Sequence, residues 1–358
     1  MKTLLIMAGG TGGHVYPALA VAEHLRARGI RIVWLGTRAG LEARVVPAAG
    51  IAMCWLSISG LRGKGLGRYL AMPFLAARAI AQGIAVVRRV RPDALLGMGG
   101  FAAGPGAVSG WLLRRPLVIH EANARAGLTN RLLAPLARRI LCGFPHTEGL
   151  PGRAEWTGNP LRGQIRPRTP VREDGAPLKV LVVGGSLGAR VFNRVLPGCL
   201  GPLATEGVIS VRHQSGRGNA EEVRARYREF GADDRVDARV EEFIDDMGAA
   251  YESADLAICR AGAMTVAELC MAGLAAVLVP FPYAAGDHQS ANARYLSDRD
   301  AALLMPEADF DEASVGALVR SLAADRPRLA AMAARLRELA RPDATLAVGA
   351  ACLEVMHA

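Results

Sequence analysis

Two glycine-rich turns, one in each half of the chain, have the composition of anion-binding loops. The first, Gly9-Gly10-Thr11-Gly12-Gly13-His14, follows an apolar run at residues 4–8, and the second, Gly184-Gly185-Ser186-Leu187-Gly188-Ala189-Arg190, follows one at residues 180–183. Each pattern predicts a buried strand, a tight turn and the start of a helix. Glycine lets backbone N–H groups approach an anion closely, and the helix dipole favours negative charge there. We therefore expect two phosphate-bearing ligands.

The first turn matches neither of the common nucleotide-binding fingerprints. It is not G-x-G-x-x-G or G-x-x-x-x-G-K-[ST], and the next predicted strand ends Leu35-Gly36-Thr37-Arg38, without the acid that holds an NAD ribose. A dehydrogenase is therefore disfavoured. Pro17 suits the first turn of a helix, which places Thr11-Gly12-Gly13-His14 at the helix N-terminus. His14 is either a buried, satisfied histidine or a functional one, and its position in a glycine turn favours a function.

Two further turns in the first half follow predicted strands. Gly97-Met98-Gly99-Gly100-Phe101-Ala102-Ala103-Gly104-Pro105-Gly106 is either an anion-binding turn or a site of close helix–strand packing. His120-Glu121-Ala122-Asn123 ends a predicted strand, and the carboxyl ends of parallel strands line the ligand sites of such sheets. Glu121 and Asn123 are therefore candidates for chemistry, or for capping the next turn.

The second half has its own candidate residues. Ser186 offers a hydroxyl to a phosphate, or caps the helix that follows. Thr265 and Glu268 satisfy the S/T-x-x-E pattern of a capping box, although a carboxylate there is also suited to accepting two ribose hydroxyl protons. The loop Asp287-His288-Gln289 leads polar side chains to another helix start, and the lack of a third ligand at suitable spacing disfavours a metal site.

Strand-like and helix-like segments alternate along the chain, which predicts an α/β fold with parallel sheets. Strands are predicted at residues 4–8, 31–35, 94–97, 117–120, 139–142, 179–183, 210–214, 255–258 and 275–279. Helices are predicted at residues 18–28, 189–200, 221–230, 266–272, 325–340 and 345–356. Residues 157–176 are rich in Gly, Pro and Arg and form the best candidate for a linker.

Composition favours two domains, a reducing compartment and an anionic partner. The 358 residues are 51% hydrophobic, and the six cysteines form no C-x-x-C pair. The opening apolar run stops at Gly9, and no run of about 18 apolar residues occurs, so neither a signal peptide nor a membrane-spanning helix is expected. Residues 1–159 hold 20 Lys+Arg against 6 Asp+Glu (+14), and residues 160–358 hold 23 against 27 (−4). Compositional bias explains the arginine, but the scarcity of acids in one half indicates an anionic partner.

In their order along the chain, these motifs resemble the MurG family of bacterial peptidoglycan glucosaminyltransferases. The resemblance rests on residues 9–14, 97–106, 120–130, 158–162, 184–190, 260–268 and 287–293. It implies the GT-B architecture: two Rossmann-like domains, at residues 1–159 and 160–342, whose parallel sheets face a deep cleft, with a helix at residues 343–358 returning to the first domain. It also implies transfer of N-acetylglucosamine from UDP-GlcNAc to undecaprenyl-pyrophosphoryl-MurNAc-pentapeptide (lipid I), forming lipid II.

The resemblance assigns residues to each substrate. Ser186 would meet the donor pyrophosphate, Ile244 the uracil and Glu268 the ribose, while His288 and Gln289 would face the sugar. The other donor-site positions it implies are Thr11, Gly12, Gly13, Asn123, Arg162, Ala263, Met264, Thr265, Val266 and Ala267. The acceptor would meet His14, Gly99, Gly100, Phe101 and Gly104.

The mechanism implied by the family inverts the anomeric carbon and needs a base for the attacking hydroxyl. His14 is the candidate base, because imidazole titrates near neutral pH, and Glu121 is the competitor. Helix N-termini, N–H groups and either Arg162 or Arg190 would stabilise the departing UDP, so no metal or other cofactor is expected. Two positions depart from the family pattern: Leu187 stands where Gln is common, and Phe101 where Tyr is common.

A lipid acceptor implies that the protein reaches a bilayer without spanning it. The apolar residues of segment 66–90 include Tyr69, Leu70, Met72, Phe74, Leu75, Ile80 and Ile84, and the flanking cations are Arg62, Lys64, Arg68, Arg88, Arg89 and Arg91. Trp111-Leu112-Leu113-Arg114-Arg115 adds an aromatic residue and two charges. Such a pattern is typical of a surface that binds anionic lipid, or of a buried amphipathic helix. The implied location is the cytoplasmic face of the bacterial inner membrane, near other cell-wall synthesis proteins.

Two other functions fit parts of the pattern. Another GT-B enzyme that uses a UDP-sugar, such as a glycolipid transferase or a UDP-GlcNAc epimerase, would share the scaffold, but the basic and apolar first half favours a lipid acceptor. A non-catalytic nucleotide or nucleic-acid binder is disfavoured, because only 5% of the residues are aromatic and they do not interleave with basic runs.

Overall fold

The chain passes between two structural units twice. The computed structural model describes residues 1–57, 72–161, 163, 165–168, 176–185, 188–232 and 238–357. The first unit is Met1–Arg162 together with Arg341–Ala358, and the second is Gly163–Ala340. The passages therefore lie after residues 162 and 340, where the sequence predicted them after residues 159 and 342.

The first unit is a parallel α/β sheet structure. Its strands are β1 (Thr3–Met7), β2 (Arg31–Gly36), β3 (Ala52–Trp55), β4 (Ala94–Gly97), β5 (Leu117–Glu121), β6 (Arg139–Cys142) and β7 (Glu155–Trp156). Its helices begin with α1 (Gly12–Arg26), α2 (Glu42–Ala48), α3 (Met72–Val90), α4 (Ala103–Leu112) and α5 (Leu128–Leu133). The strand order is β3-β2-β1-β4-β5-β6-β7, so the chain order reverses beside β1. Doubly wound sheets bind their ligands at that position.

The second unit repeats this arrangement. Its strands are β8 (Leu178–Val183), β9 (Ile209–Gln214), β10 (Ala238–Glu241), β11 (Leu256–Cys259), β12 (Ala276–Leu278) and β13 (Leu303–Leu304). Its helices are α6 (Arg190–Thr205), α7 (Ala220–Glu229), α8 (Met247–Ser253), α9 (Ala263–Ala272), α10 (His288–Ser297), α11 (Glu312–Ala324) and α12 (Arg326–Leu339). The order β10-β9-β8-β11-β12-β13 reverses beside β8, the strand that precedes the second glycine turn.

The nine predicted strands are confirmed, each with ends within one residue of the observed ones. The strands that the sequence did not predict, β3, β7, β10 and β13, are the edge strands of the two described sheets. An interior strand of a parallel sheet is buried on both faces and reads as a continuous apolar run. An edge strand need not, and β10 accordingly reads Ala-Arg-Val-Glu.

Two helices that follow glycine-containing turns begin earlier than predicted. α1 begins at Gly12, so Pro17 lies inside the helix and not in its first turn. α9 has Gly262 as its N-cap, so Thr265 lies inside the helix, and the predicted capping box of Thr265 and Glu268 is wrong. Glycine has low helix propensity, and it conceals the first turn when it stands at or beside the helix start.

The C-terminal helix, α13 (Ala344–His357), packs against α1 in the first unit. Its residues Val348, Cys352 and Val355 join the buried apolar cluster that contains Ala22 and Leu25 of α1. The last segment of the chain thus completes the core of the unit in which the chain begins.

The six cysteines are buried free thiols. Burial raises the pKa of Cys199, Cys259, Cys270 and Cys352 to about 12. These four side chains therefore stay protonated near neutral pH and pack as small apolar groups.

A buried polar network crosses the core of the second unit. His213 on β9 places Nδ1 3.1 Å from Tyr227 Oη and Nε2 3.2 Å from Asn193 Oδ1. Asn193 Nδ2 donates to the backbone oxygen of Ser215 at 2.9 Å. Burial lowers the pKa of His213 from 6.5 to about 3, so its imidazole is neutral at physiological pH.

We expect His213 to make the free energy of unfolding fall as the pH drops from about 6.5 towards about 4. In this window the unfolded chain binds a proton at His213 and the folded chain does not, which removes up to about 1.4 kcal/mol per pH unit. Urea denaturation across this pH range measures the unfolding free energy of the wild type and of His213→Gln. The difference between the two pH dependences gives the contribution of His213, because the carboxylates contribute equally to both proteins. Equal pH slopes for the two proteins would contradict the expectation.

Candidate functional site

In the first unit, the glycine turn leads from β1 directly into α1. Thr11 is the N-cap in an extended conformation, and its side chain makes no capping hydrogen bond. Its Oγ1 lies instead 3.5 Å from His14 Nδ1. The structure therefore places Thr11, Gly12, Gly13 and His14 together at the N-terminus of α1. The Thr11 side chain does not cap the first N–H groups of this helix.

Glu42, which the sequence did not single out, holds this turn in place. Its buried carboxylate accepts hydrogen bonds from Gly10 N at 2.9 Å, from Thr37 N at 2.9 Å and from Thr37 Oγ1 at 2.8 Å. A Cβ atom on Gly36 or Gly40 would lie within 2.7 Å of its side chain. In the sequence, the only indication of this role was that Glu42 is an isolated acid near two glycines, in a half of the chain that has few acids. One amide of the turn is thus already bound by an anion.

The second glycine-rich turn of this unit packs against the first. A Cβ atom on Gly100 would lie 2.2 Å from the carbonyl oxygen of Gly9, and one on Gly99 would lie 2.7 Å from His14 Cδ2. The φ angles are 95° at Gly99 and 86° at Gly100, in the left-handed region that favours glycine. Close packing therefore explains both glycines, and it seats the His14 imidazole against the backbone of the turn.

Glu121 is the centre of a hydrogen-bonded loop at the end of β5. Its Oε1 accepts from Asn123 N at 3.0 Å and from Asn123 Nδ2 at 3.1 Å. Its Oε2 accepts from Gly127 N at 3.0 Å and from Asn130 Nδ2 at 2.8 Å. Gly127 is the N-cap of α5, so the carboxylate anchors the start of that helix. The capping role considered for Glu121 is therefore present.

His120 and Asn159 tie the end of β5 to the segment that leaves this unit. His120 Nε2 donates to the backbone oxygen of Gly158 at 2.9 Å, and Asn159 Nδ2 donates to Ala122 O at 2.9 Å. Burial lowers the pKa of His120, so its imidazole is neutral. His120 therefore has a structural role in a neutral tautomer.

In the second unit, the glycine turn is held by a similar backbone contact. A Cβ atom on Gly188 would lie 2.1 Å from the backbone oxygen of Ser215, and φ at Gly188 is 71°. The N-cap of α6 is Ala189, whose methyl group cannot cap the helix, so the first N–H groups of α6 are suited to an anion. Ser186, Leu187 and Arg162 lie outside the described residues.

Glu268 is oriented by a buried tyrosine. Tyr251 on α8 donates from its hydroxyl to Glu268 Oε2 at 2.9 Å. Glu268 lies in the second turn of α9 and is half-buried, as are Met264, Thr265 and Ala267, while Ala263 and Val266 are buried. The buried Val266 side chain belongs to the core, and the accessible groups here are those of residues 264, 265, 267 and 268.

The segment at residues 287–293 meets the segment that leads into α9. Asn292 Nδ2 donates to Ala261 O at 3.1 Å, and Phe281 N donates to Gln289 Oε1 at 2.9 Å. His288 is the first residue of α10 and is half-buried, and Ile244 is buried ahead of α8. The structure therefore brings the two polar segments after β11 and β12 to one edge of the sheet.

Three neighbouring helices of the first unit, α3, α4 and α5, carry exposed apolar side chains. Phe74 on α3 is 80% exposed, Trp111 on α4 is 48% exposed, and Leu128 and Leu132 on α5 are 71% and 66% exposed. The exposed cations on α3 and just after α4 are Arg78, Arg88, Arg89, Arg114 and Arg115. The other face of α3 is core, as Val86 and Val87 show. We call this the α3–α5 surface.

Part of the predicted lipid-binding segment lies outside the described residues, namely Arg62, Lys64, Arg68, Tyr69 and Leu70. Among the described residues, no helix has both the length and the apolarity needed to cross a bilayer. Phe101, predicted for the acceptor, is 53% exposed. The ligand contacts of Thr11, Gly12, Gly13, Asn123 and Gly104 stay predictions.

The chain is similar to known proteins over nearly its full length. Residues 4–142 match the glycosyltransferase family 28 N-terminal domain, and residues 179–346 match the glycosyltransferase family 28 C-terminal domain. The crystal structure of Acinetobacter baumannii MurG has a TM-score of 0.83 and 37% identity, and the match covers 99% of this chain and 100% of that chain.

Two curated relatives carry the name UDP-N-acetylglucosamine--N-acetylmuramyl-(pentapeptide) pyrophosphoryl-undecaprenol N-acetylglucosamine transferase. The protein from Alkalilimnicola ehrlichii is 53% identical, with 98% of each chain covered. The protein from Thiobacillus denitrificans is 52% identical, with 98% of this chain and 97% of the relative covered.

Two parallel-sheet units, each with a glycine turn after its first strand, are the building plan of the glycosyltransferases of the GT-B class. The sequence identity to the relatives extends over nearly the whole chain and therefore identifies the family as well as the class. The chain belongs to the MurG family, within glycosyltransferase family 28.

The close contact between Gly99 and the His14 imidazole can be tested with a pair of matched variants. Gly99→Ala places a Cβ atom against the imidazole and strains a positive φ, so we expect a loss of about 1–3 kcal/mol of unfolding free energy and a lower kcat. Gly29→Ala is the control, because Gly29 has a φ of 78° but no atom within 4 Å of an added Cβ. It carries the same backbone strain without the contact. Chemical denaturation and steady-state kinetics compare the two variants. Equal kcat values for Gly99→Ala and Gly29→Ala would contradict the conclusion that Gly99 positions the His14 imidazole.

Proposed function

We propose that the protein transfers N-acetylglucosamine from UDP-GlcNAc to the muramyl sugar of lipid I and so forms lipid II in peptidoglycan synthesis. The observation that carries this proposal is an identity of 52–53%, over essentially the full length, to transferases whose names state this donor and this acceptor. Both glycine turns on which the sequence resemblance rests also lie where doubly wound sheets bind ligands.

The pyrophosphate of the donor is assigned to the start of α6. The N–H groups after Gly188 carry the positive end of the helix dipole, and Ala189 offers no competing oxygen. Ser186 and Arg162 are proposed to add a hydroxyl and a cation. Because preorganised N–H dipoles can stabilise the charge that develops on the departing UDP, the proposed reaction needs no metal or other cofactor.

The remainder of the donor is assigned to three other segments of the second unit. Glu268, with Oε2 fixed by the Tyr251 hydroxyl at 2.9 Å, is suited to accepting the two ribose hydroxyl protons. The segment at Ile244 is assigned to the uracil. His288 and Gln289, at the start of α10, are assigned to the sugar.

His14 is the proposed general base, and the surroundings of Glu121 support this choice. A carboxylate has about four lone-pair sites, and four N–H donors already occupy those of Glu121. His14 is half-buried at the helix N-terminus and is seated against Gly99. Glu121 is therefore assigned to shaping the loop at residues 122–130, and His14 to accepting the proton of the attacking hydroxyl.

A transfer assay with radiolabelled UDP-GlcNAc and a short-chain lipid I analogue tests the proposed function. The expected product is the β-linked disaccharide lipid, formed only when the acceptor is present. Conversion of UDP-GlcNAc to an epimer in the absence of acceptor would instead favour a UDP-GlcNAc epimerase, and the proposed reaction would then be rejected.

Replacing the proposed base should affect the chemical step. For His14→Ala we expect kcat to fall by about 10²–10⁴-fold, with a much smaller change in the KM for UDP-GlcNAc. His357→Ala, which removes an exposed histidine at the end of α13, is the control and should keep the wild-type kcat. A near-normal kcat for His14→Ala in the transfer assay would exclude His14 as the base.

We further propose that the α3–α5 surface binds the anionic face of the membrane that holds lipid I. Support comes from exposed aromatic and leucine side chains on three adjoining helices, with exposed arginines on or beside the same helices. The first part of the chain, residues 1–159, carries a charge of +14, as counted above. The proposed location is the cytoplasmic face of the inner membrane, where other cell-wall synthesis proteins are proposed partners.

Vesicle flotation tests this surface. We expect Phe74→Ser combined with Trp111→Ser to reduce binding to anionic vesicles at least about tenfold, because two exposed aromatic side chains no longer insert. Leu346→Ser, at an exposed leucine of α13, is the control. Binding of the wild type should weaken with added salt. Vesicle binding that depends on neither salt nor anionic lipid would overturn the proposal.

A further inference from the structure

Arg260 lies where β11 leads into α9, and its guanidinium is enclosed by aromatic rings. Its Cζ atom is 5.0 Å from the ring centroid of Phe192 on α6 and 5.3 Å from that of Phe281, which follows β12. Both distances are within the range of a cation–π interaction. One planar cation therefore contacts the helix after the second glycine turn and the loop that leads towards α10.

The polar atoms of the same guanidinium are also engaged. Nη1 donates to the backbone oxygens of Val279 at 3.2 Å and Pro280 at 3.3 Å, and Nη2 lies 2.6 Å from Glu307 Oε2. The Arg260 side chain is only 13% exposed. Its charge is thus balanced by Glu307 within the protein. Arg260 therefore links neighbouring segments of the chain and is not a cation that binds a phosphate of the ligand.

The loop that Arg260 holds is the one that orients Gln289. Phe281 N donates to Gln289 Oε1 at 2.9 Å. Because a backbone N–H group can only donate, the amide oxygen of Gln289 is fixed towards Phe281, and its NH₂ group is the end that can reach an oxygen of a ligand. The position of Phe281 therefore determines the direction in which Gln289 presents its donors.

We propose that Arg260 is a positioning residue for recognition of the donor's sugar. It fixes the loop at residues 279–281, and this loop fixes the Gln289 amide. The inference rests on the proposed function, in which Gln289 faces the N-acetylglucosamine. Arg260 then acts on the sugar of UDP-GlcNAc. It has little effect on the UDP part, which is assigned to the start of α6 and to Glu268, because its contact on α6, Phe192, is also held by the apolar core.

The test compares the KM for UDP-GlcNAc with the Ki of UDP, both from the transfer assay, for Arg260→Lys and for Phe281→Leu. Lysine keeps the charge but not the planar stacking and paired donors, and leucine removes the ring that contacts Arg260 and also contacts the exposed Tyr283. We expect KM to rise about tenfold in each variant, with Ki within about twofold of the wild type. The matched control is Arg320→Gln, which breaks an exposed ion pair with Glu206 and should leave both constants unchanged.

Two results would overturn the proposal: an equal rise of KM and Ki, as expected of a general loss of structure, or no change in either constant. If Arg260→Lys does not fold, Phe281→Leu alone decides between these results, because Phe281 is 40% exposed. If the wild type forms no disaccharide lipid, the proposed function fails, and the Kd values of UDP-GlcNAc and UDP from calorimetric titration replace KM and Ki, with the same two results overturning the role of Arg260. The two failures are thus distinguishable.

Discussion

In each unit, two backbone segments pass so closely that no side chain fits between them. Gly100 lies against the carbonyl oxygen of Gly9 in the first unit, and Gly188 lies against that of Ser215 in the second. Each contact fixes the turn that follows the first strand of its sheet, at the point where strand order reverses. The placement of His14 and of the first N–H groups of α6 depends on these contacts, since both follow directly from the path of the turn.

Buried polar groups also hold the turns, and the loop after β5, in place. Glu42 binds an amide of the first turn, Glu121 collects four N–H donors, and His213 acts through Asn193 on the oxygen of Ser215. A buried carboxylate is costly unless donors satisfy it, so such residues make a loop rigid rather than reactive. We therefore propose His14 for the chemistry and assign Glu42 and Glu121 to holding the backbone in place.

The sequence predicted what depends on local pattern. Interior strands such as β1 and β8 carry runs of four apolar residues and were found. The edge strands β7 and β13 are only two residues long and β10 alternates with charged residues, so they lack that signal. The edge strand β3 reads Ala-Met-Cys-Trp, and its apolar run was missed. The starts of α1 and α9 were misplaced because glycines such as Gly12 and Gly262 stand at or beside the helix start. The candidate residues at the turns were recognised from glycine spacing and family resemblance, but the reason for Gly99 and Gly100, contact with His14 and Gly9, is not local.

Contacts between distant residues could not be predicted in this way. Glu42 bonds to an amide 32 residues away, and Arg260 contacts residues far apart in the chain, at Phe192, Val279 and Glu307. No periodicity or motif spacing encodes such pairs, because they arise only when β1 and β2 lie side by side in the first unit, and β8, β11, β12 and β13 in the second. The resemblance to a family indicated which segments matter, and the contacts explain how these segments are held.

We propose that backbone N–H groups, placed by glycine contacts, bind the nucleotide diphosphate without a cation. Calorimetric titration of the protein with UDP, once in EDTA and once in excess Mg²⁺, measures this most directly. We expect the two Kd values for UDP to agree within about a factor of two, because helix N-termini supply the positive potential. Binding that is lost in EDTA and restored by Mg²⁺ would contradict it.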